Sequence, residues 1–301
     1  MGIYKRRYNN IITTCFSIIL FILFIILFVF VIINYNALSI NLRIITYNIE
    51  YGAERYSAKI VADIVNKYYA DVLLIQEAYT ENKTDTSIEI SKILGWNRIS
   101  SNISETAILT KYEIIYYEEH NHFLYSKIDK YDIISVHLDD WYYQPFQASY
   151  IPYERDGVHE PYTNNTEELI KYATDARGKD IDEIIFLIKD KENVIMGGDF
   201  NEPSYKDWTN RATEKGYCPL AVEYPSIQKL EEKGMKDVYR NVYTDEIIDR
   251  GLTWPAYKVD YEYRDDRIDY IVVTNTLEIE EINVLQYDYS DHRPIVVSIK
   301  M

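Results

Sequence analysis

The chain has 301 residues, 47% of them hydrophobic, and a formal net charge of −16, so apolar material for one large core is present. A chain this acidic is a poor match for a long polyanion such as nucleic acid unless a cation or a local basic patch intervenes. Its two cysteines, Cys15 and Cys218, exclude a disulfide framework within the main body.

Lys5, Arg6 and Arg7 are the only charges before Arg43, and Ile11 to Ile33 is apolar except for Thr13, Thr14 and Ser17. That stretch, about 23 residues and roughly 35 Å as a helix, is long enough to span a bilayer's hydrocarbon core. Basic residues on its N-terminal side place the N-terminus in the cytoplasm. The expectation is a basic tail at 1–10, a transmembrane signal-anchor helix at 11–34, a linker at 35–41 and a single-pass protein whose domain, 42–301, is extracytoplasmic. A signal peptide cleaved near Ala37-Leu38-Ser39, followed by secretion, is the competing reading.

In the main body, Leu42–Tyr47 reads as a strand, and Tyr56–Tyr69 places Ile60, Ile64, Val65 and Tyr68 at helical spacing. Asp71–Ile75 is a buried strand and Ser87–Leu94 a helix. Thr106–Thr110, Glu113–Tyr117 and Asp132–Leu138 are strands, and residues 139–165 are irregular and aromatic-rich. Glu167–Lys189 is a long amphipathic helix whose Arg177 is expected in solvent. Asn193–Met196 is a strand, Ser204–Lys215 and Ser226–Lys233 are short helices, and Arg267–Val273, Glu278–Leu285 and Pro294–Ile299 are closing strands. No repeat or linker follows residue 40, so 42–301 is one α/β domain.

Polar residues gather where these strands end: Asn48, Gln76-Glu77, His137, Asp199 with Asn201, Asp269, and Asp291-His292. Each alone has an ordinary explanation. Asn48 and Asn201 suit turns, Glu77 suits a helix start, and Asp269 suits an ion pair with Arg267. Together they form the kind of set from which active sites in sheet proteins are built, at strand ends and the loops after them. Glu77, Asp291 and Asn48 offer oxygen ligands, which suit Mg²⁺ or Mn²⁺ rather than zinc.

The ordered set Thr46-Tyr47-Asn48, Gln76-Glu77, Ser135-Val136-His137, Gly198-Asp199-Phe200-Asn201, Arg267-Ile268-Asp269-Tyr270 and Ser290-Asp291-His292-Arg293-Pro294 resembles the endonuclease/exonuclease/phosphatase superfamily, over about Leu42 to Ile299. The resemblance implies a deoxyribonuclease-I-like fold: a four-layer α/β sandwich of two mixed β-sheets packed face to face, with helices outside. It also implies a metal-dependent phosphoric ester hydrolase. Glu77 becomes the principal metal ligand, with Asn48 and Asp291 beside it. Asp199 orients or deprotonates the attacking water, and Asn201 holds a phosphate oxygen or that water. His292 contacts the phosphate or acts as base, with its tautomer fixed by Asp269. His137 protonates the leaving group or stabilises the transition state.

Substrate is set by loops in this superfamily. The acidic domain departs from the basic DNA-facing surface of abasic-site nucleases, so nucleic acid is disfavoured. Trp141, Tyr142, Tyr143, Phe146 and Tyr150 are candidates to wall a pocket for an apolar or planar group, and Arg155 and His159 to meet a phosphate. The alternative is that these aromatics simply pack the loop. Trp254, in Gly251-Leu252-Thr253-Trp254, is near the site by resemblance, or core. The expected function is Mg²⁺-dependent hydrolysis of a phosphodiester, in a small molecule or lipid head group, by a monomer. The rivals are a nuclease with the same site and an inactive binding domain.

Overall fold

The computed structural model describes residues 21–25, 41–257 and 265–301. The expected membrane helix at 11–34 lies outside the described residues except for 21–25, which are helical. Among the described residues no helix is long and apolar enough to cross a membrane. Leu42–Lys300 forms one compact unit.

In chain order its elements begin β1 (Asn41–Asn48), α1 (Ala58–Lys67), β2 (Val72–Gln76), α2 (Ser87–Leu94), β3 (Asn97–Ser101), β4 (Thr106–Thr110) and β5 (Ile114–Glu119). They continue with β6 (Phe123–Ile128), β7 (Tyr131–His137), α3 (Gln144–Ser149), the hairpin β8 (Glu154–Arg155) and β9 (Val158–His159), α4 (Thr166–Ile188) and β10 (Val194–Asp199). The last are α5 (Asn210–Glu214), α6 (Pro225–Glu232), β11 (Met235–Asp237), α7 (Val238–Val242), β12 (Asp269–Thr274), β13 (Ile279–Val284) and β14 (Ile295–Lys300).

Two six-stranded mixed sheets result, in the orders β13-β14-β1-β2-β4-β3 and β11-β12-β10-β7-β6-β5. Strand alternation sends alternate side chains to opposite faces. Ile44, Leu74 and Ile108 of the first sheet and Leu124, Ile133, Ile195 and Ile271 of the second share one buried cluster between the sheets. The other face of the first sheet, with Ile45, Leu73 and Leu109, packs on Val61, Val65 and Ile90 of α1 and α2. The other face of the second, with Ile134, Met196 and Val272, packs on Ile181 and Ile184 of α4 and Leu230 of α6. Helix, sheet, sheet and helix are the expected four layers. Each fully buried Leu or Ile contributes about 1.5–3 kcal/mol to holding them together.

Three strands of the two main sheets are absent from the sequence reading. In β3, Asn-Arg-Ile-Ser-Ser has no apolar run, and it is held as an edge strand by pairing with β4. Ser126 and Lys127 interrupt the pattern of β6, which is fixed by pairing on both sides with β5 and β7. β11 has only three residues. The helix expected over Ser204–Lys215 shortens to α5, capped where the Thr209 hydroxyl accepts from the Ala212 N–H at 3.1 Å. The irregular 139–165 region contains α3 and the β8–β9 hairpin.

Arg177 corrects an expectation: it is fully buried, not solvated. It stands four residues after Ala173 and four before Ile181, on the stripe of α4 that faces the interior.

At Gly198 a Cβ would lie 1.9 Å from the Val136 carbonyl oxygen, at φ +156°. At Gly95 the space is open and only the left-handed φ of +70° opposes a side chain. Gly198→Ala is therefore expected to lose about 3 kcal/mol or more, or not to fold. Gly95→Ala should lose only about 1 kcal/mol. Thermal denaturation of the two variants side by side checks this, and similar losses would contradict it.

Candidate active site

Pairing register builds the site. β1 runs parallel to β2 with Asn48 opposite Gln76, so Glu77 is the next residue out. β10 runs parallel to β7 with Asp199 opposite His137, and antiparallel to β12 with Asp199 opposite Asp269. One end of each sheet thus carries polar groups, and the two ends meet. The Asn48 amide nitrogen donates across the sheets to Asp199 Oδ2 at 3.2 Å and to Glu77 Oε1 at 3.0 Å. Its oxygen accepts the Glu50 backbone N–H at 3.1 Å, and a backbone donor fixes which way the amide points.

The strand-end residues take up special backbone. Glu77 has φ +51° and Asn201 φ +50°, a left-handed region costly for residues with a side chain. Each is paid back locally. Glu77 Oε2 accepts the Tyr51 N–H at 2.9 Å. Asn201 donates its N–H to Asp199 Oδ1 at 2.8 Å and its amide to the Leu138 carbonyl at 2.9 Å.

On the far side, His292 lies between two carboxylates. Its Nδ1 is 2.8 Å from Asp269 Oδ2 and its Nε2 is 3.5 Å from Asp199 Oδ2. Ser290 anchors this loop: its hydroxyl donates to the Asn48 carbonyl at 2.8 Å and accepts the His292 N–H at 3.1 Å. Thr253 Oγ1 accepts the N–H groups of Ile268 and Asp269, both at 3.1 Å, and so sets the start of β12. Trp254 Nε1 holds Asp291 Oδ2 at 3.1 Å. Ser290 and Thr253 went unassigned in the sequence. Their signal was adjacency to Asp291-His292 and to Trp254.

Burial drives the electrostatics. It pushes the Asp199 carboxyl up to about 6; Asp269 adds to the rise, while His292, His137 and the Asn201 N–H oppose it. Burial also raises Glu77, reinforced by Asp291 and opposed by the bonds from Tyr51 and Asn48. For His292 burial works against charge, but Asp269, Asp199 and Asp291 together overcome it and hold the imidazole well above its usual range.

Two groupings have cation-binding chemistry. Asp199, Asp269 and His292 bring three ligand atoms within 4.8 Å of one another. Both nitrogens of that imidazole already face carboxylates, so the ring itself supplies positive charge there. Glu77 and Asp291 offer only oxygens, and Asp291 adds to the rise of the Glu77 carboxyl. A hard divalent cation fits this second pair, because it would neutralise two half-buried carboxylates at once.

These groups floor a cavity of about 420 Å³, within the range of small-ligand sites. Its polar lining includes Glu77, His137, Asp199, Asn201, Asp291 and His292, and its apolar lining Tyr143, Phe146, Tyr153, Trp254, Pro152 and Ile268. Of the aromatics expected there, Tyr143 and Phe146 are in place. Trp141 and Tyr142 stack on each other and Tyr150 packs at a tilt against Tyr162, and none of the three lines the cavity. Trp254 joins the wall, with its ring centroid 6.4 Å from that of His292. Arg155 reaches the cavity but is bonded to Asp140 and stacked over Trp141. His159 is exposed and 3.3 Å from Glu154.

Residues 45–292 match the Endonuclease/Exonuclease/phosphatase family. The Caenorhabditis elegans protein F14F9.5 is 25% identical, with 77% of this chain and 78% of that protein covered. An AP endonuclease from Archaeoglobus fulgidus has a similar fold, with a TM-score of 0.58, 16% identity, and 85% of this chain and 98% of that one covered. So does the Neisseria 3′ phosphatase NExo bound to a product DNA hairpin, with a TM-score of 0.57, 15% identity and coverage of 85% and 98%.

The wall has a titrating clamp. Glu160 is buried, accepts the Tyr143 N–H at 2.6 Å, and is pushed from its ordinary 4.5 up to about 7 by burial. Asp140 adds to that rise, and the Tyr143 bond, Arg177 and Arg155 oppose it. A raised acid favours the neutral folded form, so its contribution to stability is complete below about pH 4.5 and is lost as pH rises through about 7. Between pH 5 and 8, amide exchange of Tyr143 and of residues 153–160 should therefore quicken beyond its intrinsic pH dependence. In Glu160→Gln that excess should vanish; an unchanged excess would exclude Glu160 as its source.

Proposed function

The chain belongs to the endonuclease/exonuclease/phosphatase family, and from that premise we propose that it is a divalent-cation-dependent phosphoesterase acting on a small phosphodiester or a phosphodiester lipid head group. The observation that carries this reading is a closely bonded acid and imidazole constellation opening directly onto an aromatic-walled cavity of about 420 Å³. A diester held by the polar lining would set its organic group against Trp254, Tyr143 and Phe146. The net charge of −16 disfavours a long nucleic acid.

Glu77 and Asp291 would hold Mg²⁺ or Mn²⁺, with Asn48 bracing Glu77 against Asp199. The cation supplies charge neutralisation at the phosphoryl oxygens and at the leaving oxygen. Asp199 orients the attacking water, and the proton passes to the Asp199–His292 pair, whose facing atoms are 3.5 Å apart. Asp269 keeps the imidazole in register through Nδ1. Asn201 fixes the phosphate or the water, and His137, beside Asp199 on the neighbouring strand, serves the leaving group.

A nuclease reading is favoured by one finding, the DNA hairpin bound to the similar Neisseria phosphatase. A screen of chromogenic diesters, sphingomyelin, inositol phosphates, nucleotides and plasmid DNA, with and without EDTA, separates the two. Cation-dependent turnover of a small diester or lipid is expected, with plasmid hydrolysis much slower. Comparable plasmid rates without lipid turnover would favour the nuclease. Glu77→Ala and His292→Ala should each lower kcat at least about a hundredfold. A parent inert with both Mg²⁺ and Mn²⁺ on the whole panel would sink the enzyme reading.

The basic-then-apolar N-terminal stretch supports presentation of this cavity at a membrane surface. Carbonate extraction should leave full-length chain with the membranes. Release of a chain starting near residue 40 would instead mean cleavage and secretion.

A further inference from the structure

Beside α3 lies a buried polar cluster that no catalytic role uses. Arg177, fully buried on α4, donates from one terminal nitrogen to Gln144 Oε1 at 2.7 Å and from the other to the Tyr142 carbonyl at 2.9 Å. Glu202 Oε2 stands 3.9 Å from the guanidinium, beyond hydrogen-bond reach. Around them, Arg177 Nε, Gln144 Nε2, both amide atoms of Gln147, Glu160 Oε2, Glu202 Oε2 and Tyr224 Oη are buried without a protein partner.

Such a group is a poor stability device. A buried charge pair is often matched or bettered by apolar side chains of the same volume, and each orphaned buried polar group costs about 1–3 kcal/mol. Its placement gives it another use. On one side Arg177 grips Tyr142 and Gln144, which flank Tyr143 and open α3; α3 also carries Phe146. On the other side is Glu202, directly after Asn201, pinned by the Ser226 N–H at 2.8 Å and, through its carbonyl, by the Tyr270 hydroxyl at 2.9 Å. Arg177 therefore stands between the wall and the catalytic strand-end loop, bonded to the first and facing the second at 3.9 Å.

We propose that Arg177 is a positioning residue: with Gln144, Glu202 and waters bridging the remaining donors and acceptors, it fixes the aromatic wall at a set distance from Asp199 and Asn201. This rests on the phosphoesterase reading for its kinetic consequence, but not for its structural one. Tyr143 and Phe146 reach the site through Trp254, at ring distances of 5.6 and 5.9 Å. A shift of α3 would thus alter how an organic group is held without touching the groups that act on phosphorus.

The test compares Arg177→Met, Arg177→Lys and the double variant Arg177→Met/Glu202→Gln, which leaves no unpaired charge should the single change fail to fold. The full-length protein is assayed with bis(p-nitrophenyl) phosphate and Mn²⁺, and amide exchange is followed over residues 141–149. In the double variant, KM should rise about tenfold while kcat changes less than about threefold. Exchange over 141–149 should quicken, and Arg177→Lys should restore part of each effect. A folded double variant with unchanged KM and unchanged exchange would overturn the proposal. If the parent turns over no diester, the phosphoesterase reading fails on its own, and the exchange measurement still decides the role of Arg177.

Discussion

The two sheets approach closely where β10 has no side chain to keep them apart. A Cβ on Gly197 would lie 2.9 Å from Leu74 Cδ1 and 3.2 Å from Thr46 Cβ, both on the opposite sheet. That closeness lets short polar side chains bridge the sandwich. Gln76 Nε2 donates to Ser135 Oγ at 3.1 Å, and Ser135 Oγ donates to the Ile75 carbonyl at 3.1 Å. One step nearer solvent, Asn48 reaches Asp199. A larger residue at 197 would hold the sheets apart, and the acidic groups of one would not meet the imidazole of the other. The site is thus an extension of the core seam, made polar as it nears the surface.

The same burial that makes the core cohesive raises the acids. Asp199 and Glu77 cost free energy as carboxylates in this setting, and His292 is held charged only because carboxylates surround it. Such opposed demands in a cleft mark a functional site better than any one residue does. Behind it, a second charged cluster is fully satisfied. Arg267 bonds both Asp207 and Asp237 at 2.7 Å, and Arg240 bonds Asp207 at 2.6 Å. The contrast separates structural charge, fully hydrogen-bonded, from the acids at the cavity floor, which face an opening.

Most of the fold was legible where apolar periodicity was strong. β1, β2, β4, β7, β10, β12 and β14 carry runs of Ile, Leu and Val, and α1 and α4 keep a helical apolar spacing. β3 and β6 were not legible, because neighbours rather than local pattern define them. Arg177 was misread for a related reason: charge suggested solvent, while its spacing from Ala173 and Ile181 pointed inward. In the aromatic loop, composition showed that rings were available. Which rings face the cavity depends on how α3 and the β8–β9 hairpin pack.

By itself the sequence determined which residues stand at strand ends, since a strand's period and its stop are local properties. From that alone Asn48, Glu77, His137, Asp199, Asp269 and His292 could be chosen as a set. Only the tertiary structure decided how they meet: Asn48 bonding Asp199 across the sheets, His292 between two carboxylates, Trp254 rather than Trp141 on the cavity wall. Those contacts join residues up to 242 positions apart, as between Ser290 and Asn48, and no local pattern encodes a distance between two sheets. The glycines of β10, Gly197 and Gly198, belong to both levels. Their identity is plain in the sequence, and their reason, the close approach of Leu74, Thr46 and Val136, exists only in the fold.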